Sequence, residues 1–322
     1  MRILVTGSRG ILGRAVQAAL AADGHDLVLL DQRREGGPPS ESEFTTVVAD
    51  IRDPATYVRH LQNADAVVHL ASLHGRDHMS RFDAAAFWSV NVEGTRSLYD
   101  AAAQAGIRHV VLASSMAVYG PIPGAPQRNW IRRTERTRTV SHDSYALTKL
   151  VCEQIAVYHA HQSSMATTVL RFGHFTPTTM AEYGLRLLFG GVDVRDAATA
   201  VGRALISPPG RTQVRRLNIH APSPLTTLPL EVLSADPQAP IREHYPEMTA
   251  HLEQRGGDLS VLLWGRSVWP IDLARNRIGY HPQWTFERFV DSFCRDDERS
   301  YEPLTWHRWG VDAPLSSPAA SA

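Results

Sequence analysis

The chain has 322 residues, 43% of them hydrophobic and 20% charged, which is enough to bury one large α/β core plus a smaller appendage. Its 33 basic side chains balance 33 acidic ones, so net charge gives no basis for a nucleic-acid or membrane-surface partner. The two cysteines, Cys152 and Cys294, form no disulfide framework, and no apolar run approaches the roughly 20 residues that span a bilayer; a reduced, cytoplasmic home is expected.

Met1 to Val5 reads as a core strand rather than a signal peptide. It runs directly into Thr6-Gly7-Ser8-Arg9-Gly10-Ile11-Leu12-Gly13 and a helical stretch ending at Ala22. Strand, glycine turn and helix come in the order a dinucleotide needs. Gly7 permits the tight turn, Gly10 lets the backbone approach a pyrophosphate, Gly13 brings the helix close to the strand, and the free N–H groups of the helix start face anionic oxygen. Gly7, Arg9, Gly10, Ile11, Leu12 and Gly13 are therefore cofactor-loop candidates. A second apolar strand, Asp26 to Leu30, closes on Asp31, whose carboxylate is placed to accept from adenosine ribose hydroxyls; this points to NAD. Arg9, Arg33 and Arg34 lie near enough to reach a 2′-phosphate, which leaves NADP open.

Further apolar strands follow at Thr45 to Val48, Ala66 to Leu70, His109 to Ala113, Thr167 to Arg171 and Arg216 to Ile219. They alternate with helical segments near 54–62, 84–105, 144–162 and 194–206, and another helix is expected near 285–296. Such alternation predicts an α/β fold, a Rossmann-type doubly wound parallel sheet with right-handed crossovers. We expect a dinucleotide domain over 1–172, with 190–220 returning to it. A small C-terminal substrate-binding lid is expected over 173–189 and 221–312, and the Pro, Ser and Ala rich residues 313–322 form a disordered tail.

In the helix near 144–162, Tyr145 and Lys149 stand one turn apart on one face, about 6 Å along the axis. A free phenol titrates near pH 10, and an ammonium beside it favours the phenolate; the pair is a candidate proton-transfer unit.

Together these residues resemble the extended short-chain dehydrogenase/reductases, the NAD-dependent epimerase/dehydratase family. The likeness covers residues 1–220 well and the remainder loosely. It is carried by TGxxGxxG at Thr6 to Gly13 and YxxxK at Tyr145 to Lys149. It is also carried by Asp50-Ile51, His69-Leu70-Ala71-Ser72, Asn91-Val92-Glu93-Gly94-Thr95 and Ser114-Ser115-Met116-Ala117-Val118-Tyr119-Gly120. The resemblance implies that Asp50 and Ile51 hold adenine. It also implies that Leu70, Ala71, Ser72, Asn91 and the strand end at Phe172 lie along the cofactor, and that Asn91 supports a water near Lys149. Ser115, Tyr145 and Lys149 become the catalytic set. Tyr145 exchanges a proton with the substrate oxygen, Lys149 lowers the Tyr145 pKa and bonds the nicotinamide ribose, and Ser115 holds the substrate oxygen.

Departures from the family pattern narrow the substrate. Met116-Ala117 replaces the acidic pair of 4,6-dehydratases, and the short run from Arg171 to Asp196 leaves little room for the nucleotide clamp of sugar-nucleotide epimerases. The compact layout is most similar to uronate dehydrogenases, although Tyr183 stands where those enzymes carry a carboxylate-binding arginine; Arg186 lies one turn away. His74, Met116, His174 and Arg186 are the substrate-pocket candidates. The spacing of His74 and His78 is not read as a metal site, and no metal is expected. The arginines at 128, 132, 133, 136 and 138 are read either as solvated surface or as a loop closing over an anion. Trp264 and Trp269 either pin the lid or stack on a sugar. The expected activity is oxidation or reduction of a secondary alcohol or ketone on a sugar-like small molecule. A sugar epimerase and a non-catalytic dinucleotide sensor are the alternatives, and the resemblance implies a homodimer.

Overall fold

The computed structural model describes residues 1–33, 44–74, 78, 80–120, 129–176, 180–255, 257, 259–262 and 266–297. Arg34, Arg128, Trp264 and the tail 313–322 therefore lie outside the described residues.

Seven strands form the main sheet: β1 (Arg2–Thr6), β2 (Asp26–Asp31), β3 (Thr45–Val48), β4 (Ala66–His69), β5 (His109–Ser115), β7 (Ala166–Phe172) and β8 (Val214–Ile219). A short β6 (Ile131–Arg132) pairs outside this sheet with β9 (Ser267–Val268). The order in the large sheet is β3-β2-β1-β4-β5-β7-β8, and every neighbouring pair is parallel. The order reverses beside β1, so the loops after β1 and β4 open a crevice at the C-terminal edge of the sheet, the place where doubly wound sheets bind ligands.

The strands read as continuous Val, Ile and Leu runs because both faces are covered. On one face α1 (Ile11–Ala22) and α5 (Val194–Ile206) bury Val16, Leu20, Ala197, Val201 and Ala204 against Ile3, Val5 and Val111. On the other, α2 (Gly94–Gln104) and α3 (Ser144–Ser163) pack Leu98, Tyr99, Cys152 and Ala156 on Leu4, Val67, Val110 and Val169. A third apolar cluster joins α4 (Met180–Phe189), α6 (Pro246–Gln254) and α7 (Phe286–Cys294) through Leu185, Leu188, Leu252, Phe286, Phe289 and Phe293. Among the described residues no helix is long and apolar enough to cross a membrane.

The helix expected over 84–105 is not uniform. An α-helical turn, Ala84–Phe87, gives way to a π-helical segment, Trp88–Glu93, before α2. Within this stretch the Asn91 carbonyl accepts from Thr95 Oγ1 at 2.5 Å and from Cys152 Sγ at 3.1 Å. The π-helical turn is a local change that strand and helix periodicity does not encode. In the C-terminal half the helices expected near 194–206 and 285–296 are joined by α4, α6 and the short helices Leu230–Ala235 and Ala239–His244, which were not expected.

Candidate active site

The glycine loop packs tightly at two of its three glycines. Gly7 holds φ +69°, and a Cβ there would sit 2.6 Å from the Ala71 nitrogen; a Cβ on Gly13 would sit 2.2 Å from the Gly7 carbonyl oxygen. Both positions therefore exclude a side chain, and α1 starts flush against the turn with its first N–H groups unspent inside the helix. Gly10, by contrast, has open space on its outer side: the nearest atom to a Cβ there is the Gly7 oxygen at 3.3 Å. Ile11 is partly exposed beside it, whereas Leu12 is buried and packs in the core. A cradle that a Cβ would fill, opening onto a helix start, suits a dinucleotide pyrophosphate.

Asp31 closes β2 almost fully buried, and its carboxylate already accepts from the Arg9 N–H at 2.9 Å, the Arg33 N–H at 3.0 Å, and Arg33 Nε and Nη2 at 3.1 and 3.3 Å. Arg9 Nη1 in turn donates to the Arg33 carbonyl at 2.6 Å. A ribose hydroxyl bonding Asp31 would displace or share with the Arg33 guanidinium, and the Arg9 guanidinium lies beside it on the Arg33 carbonyl. Asp50 is held in the same manner by Arg52: burial raises its pKa, but the Arg52 side-chain and backbone N–H bonds outweigh burial and leave it below the ordinary value. Ile51 is buried against Gly94, where a Cβ would approach it to 2.5 Å, so its side chain braces α2. Leu70, Ala71 and Ser72 follow β4 partly exposed, at the crevice.

A chain of hydrogen bonds beneath this loop was not expected. Thr6 Oγ1 accepts from the Leu70 and Ala71 N–H groups, both at 3.2 Å, and lies 2.7 Å from His69 Nδ1. With two donors already on that oxygen, Thr6 gives its proton to Nδ1, and His69 Nε2–H is left to donate to Thr95 Oγ1 at 2.9 Å. Burial, with the Lys149 charge adding to it, drops the His69 pKa to about 3; the ring is a neutral tie between β1, β4 and α2. The HLAS motif marked this histidine, but only its contacts reveal what it does.

Tyr145 and Lys149 sit in the first turns of α3, which is capped by Asp143 Oδ1 accepting from the Ala146 N–H at 2.7 Å. Ser115 ends β5 and caps the following turn, accepting from the Ala117 N–H at 3.2 Å. Its hydroxyl lies near enough to the Tyr145 phenol to lower the phenol's pKa in part. Lys149 Nζ lies 5.9 Å from the centre of the Tyr145 ring and donates to the Ala113 carbonyl at 2.9 Å. The three expected catalytic side chains thus converge at the C-terminal end of β5.

The expected electrostatics are reversed. Burial pushes the Tyr145 phenol up to about 12, and the Ser115 hydroxyl lowers it only in part. Lys149 is itself held below its ordinary pKa by burial, against the opposing pull of Cys152 and Glu153, and its ammonium is directed at a carbonyl rather than at the phenol. Tyr145 is a neutral acid in this arrangement. A base role requires a further positive charge nearby.

Several expected ligand contacts are corrected. Asn91 is fully buried; its amide donates to the Leu73 carbonyl at 3.0 Å and to Thr148 Oγ1 at 2.9 Å, and it accepts from the Leu73 N–H at 2.8 Å. It clamps the loop after β4 to α3, and both of its amide hydrogens are spent on protein acceptors. Phe172 is in the core, edge-on to Phe175 at 6.0 Å, and contributes backbone beside Ser115 rather than an exposed surface. Met116 packs against Val118, Tyr119 and Trp269. Trp269 stacks on His220 at 4.6 Å and donates to the Phe189 carbonyl at 3.0 Å, so it pins the C-terminal lobe. Arg186 Nη2 pairs with Glu182 at 2.5 Å, and Tyr183 donates to Asp193 at 2.7 Å. His174 is exposed beyond β7, while the His74 N–H donates to His78 Nδ1 at 2.9 Å. The arginine run is split: Arg132 donates to the Thr226 carbonyl at 2.7 Å, Arg133 is buried against Ser267, and Arg136 and Arg138 are exposed.

Comparison with known proteins places the chain in a family. The model of the NAD dependent epimerase/dehydratase family matches residues 3–179, more than half of the chain. The uncharacterized protein Rv2047c of Mycobacterium tuberculosis is 36% identical over 116 residues, a stretch that is 36% of this chain and 12% of that protein; the chain thus spans only a small part of this relative's length. The L-arabinose 1-dehydrogenase (NAD(P)(+)) of Haloferax volcanii is 28% identical over 250 residues, covering 73% of this chain and 89% of the enzyme. Among solved structures, a short-chain dehydrogenase/reductase superfamily protein from Agrobacterium tumefaciens with bound NAD superposes with a TM-score of 0.63 at 23% identity, over 95% of this chain and 100% of that one. With its glycine cradle, its Asp31 and its parallel sheet, the chain belongs to the NAD-dependent epimerase/dehydratase family.

Proposed function

We propose that this protein is an NAD-dependent oxidoreductase acting on a secondary alcohol or ketone of a sugar or sugar-like small molecule. The observation that carries the reading is the convergence of Ser115, Tyr145 and Lys149 at the C-terminal end of β5. Gly7, Gly10, Gly13 and Asp31 hold the dinucleotide, which when bound supplies the hydride-accepting or hydride-donating ring. Tyr145, a neutral phenol, donates its proton to a carbonyl oxygen during reduction and recovers it from a hydroxyl during oxidation. Ser115 hydrogen-bonds the same oxygen and fixes it against the phenol. Lys149 keeps a positive charge behind the ring at 5.9 Å, which eases the phenolate when oxidation demands it. The sugar substrate class is supported by the likeness to L-arabinose 1-dehydrogenase, and the short connection after β7 favours a sugar without a nucleotide.

The test is incubation with NAD+ or NADP+ and L-arabinose, glucuronate, galactose and UDP-glucose, monitored at the NADH absorbance and by sugar chromatography. Net NADH or NADPH with a free sugar is the expected result, and NADPH also forms because Arg9 and Arg33 flank Asp31. An isomerised sugar without net NADH would replace the reading with an epimerase, and cofactor binding with no turnover of any member of the panel would make the protein a sensor.

The protein acts as a homodimer. Trp88, Leu147 and Tyr158 are 42%, 43% and 59% exposed on the helical layer of α2 and α3, apolar surface that a second copy would cover. Sedimentation should give twice the chain mass, and Tyr158→Glu should yield monomer; wild-type sedimentation at the chain mass would refute the dimer.

A further inference from the structure

Behind Ser115 lies a buried ionic cluster that the proposed chemistry does not use. Glu153, one turn after Lys149 on α3, is 1% exposed. Its Oε1 accepts from Ser114 Oγ at 2.7 Å and Arg171 Nε at 2.9 Å; Oε2 accepts from Arg171 Nη2 at 2.7 Å and Arg216 Nε at 2.9 Å. Arg171 then donates through Nη1 to the Tyr119 hydroxyl at 2.9 Å, and Tyr119 donates to Asn218 Oδ1 at 2.7 Å. The cluster therefore grips the catalytic strand end on both sides of Ser115: Ser114 precedes it, and Tyr119 closes the turn that Ser115 caps.

We propose that Glu153 is a positioning residue, which through Ser114 and Arg171 locks the strand end carrying Ser115 to the helix turn carrying Tyr145 and Lys149. The inference rests on the catalytic reading of those three residues. Four elements meet at one carboxylate: α3 supplies it, β5 donates from Ser114, and β7 and β8 donate from Arg171 and Arg216. A buried ion pair of this kind contributes little net stability compared with apolar residues of equal volume, but it imposes one geometry, because every donor must find its oxygen. The register repeats the constraint: Ser114 pairs with Arg171 and Ser115 with Phe172 across β5 and β7. A strand end free to shift by about 1 Å would carry the Ser115 hydroxyl away from the phenol whose pKa it lowers.

Ser114→Ala tests this with little risk to folding, since Glu153 keeps both arginines. Carbon-13 NMR of ring-labelled tyrosine, with the Tyr145 signal assigned by its loss in Tyr145→Phe, reads the Ser115–Tyr145 contact without substrate. The expected result is a displaced Tyr145 Cζ signal in Ser114→Ala and a larger displacement in Glu153→Gln, with NAD dissociation constants within twofold of wild type. On L-arabinose, or the panel sugar turned over fastest, kcat falls roughly five- to tenfold in Ser114→Ala while KM holds, and Ser114→Thr restores it. A Tyr145 signal unmoved in Ser114→Ala overturns the positioning role, whatever happens to Glu153→Gln. Full activity in Tyr145→Phe instead removes the catalytic reading beneath it, so the two failures are distinguishable.

Discussion

Tyr145→Phe should lower kcat for oxidation and reduction by roughly 10²–10⁴-fold while leaving NAD affinity within twofold. The substitution removes only the hydroxyl; the ring keeps its edge contact with Phe87 at 6.4 Å and its place at the head of α3, so folding should be preserved. Wild-type turnover by this variant sinks the proposed chemistry. The direction of pH dependence follows from the same group. With the phenol held near 12 by burial, the protonated form that reduction needs is present throughout the neutral range, whereas the phenolate that oxidation needs grows as pH rises. Oxidation of the sugar should accelerate from pH 7 to pH 10 in the wild type, reduction should not, and Tyr145→Phe should erase the difference. Initial rates in both directions across that range provide the check.

Loss of stability in mild acid is the second large effect. His69 and His220 are buried neutral with pKa values pushed down to about 3, and His109 to about 4, in each case chiefly by burial. An unfolded histidine titrates near 6.5, so below that pH the unfolded chain takes up protons that the folded one refuses, and stability falls as pH falls. At pH 5 each ring costs about 2 kcal/mol relative to pH 7. Asp196 opposes them: burial raises it to about 6, against the lowering by the N–H groups of Gln283 and Trp284 whose bonds it accepts, so the folded state gains protons there first and recovers about 1 kcal/mol at pH 5. The net loss is about 4 kcal/mol, a large share of the typical 5–15 kcal/mol of a folded domain, and should lower the melting temperature of a chain this long by roughly 6 °C. Thermal denaturation at pH 7, 6 and 5 measures it. A flat melting temperature across that interval would mean these rings are hydrated or protonated in the native state.

The fold was legible because its signals are local. A parallel sheet covered on both faces writes itself as short apolar runs between amphipathic helices, and the glycine loop is dictated by φ at Gly7 and by clearances that any sequence with this turn must respect. Tyr145, Lys149 and Ser115 could be picked out because four-residue helical spacing and a strand-end serine are sequence quantities. What those side chains do electrically was not legible. Whether Lys149 lowers a phenol or spends its charge on the Ala113 carbonyl depends on burial and on a partner 36 residues away. The same holds for Asn91, whose amide is consumed by the Leu73 backbone and Thr148, and for the arginine run, where Arg133 turned inward and Arg136 outward within one loop. The helices Leu230–Ala235, Ala239–His244 and Pro246–Gln254 were missed because they are short and begin at prolines, and the cohesion of this lobe comes from Phe286, Phe289 and Phe293 meeting Leu185 and Leu188 across about 100 residues of chain. Sequence by itself determined the layered architecture, the glycine turn and the side chains on which the proposed chemistry rests, since each follows from backbone geometry and short-range spacing. Tertiary structure alone decided their protonation, the neutral His69 tie and the Glu153 cluster, since desolvation and hydrogen-bond partnership depend on groups that only the folded chain brings together.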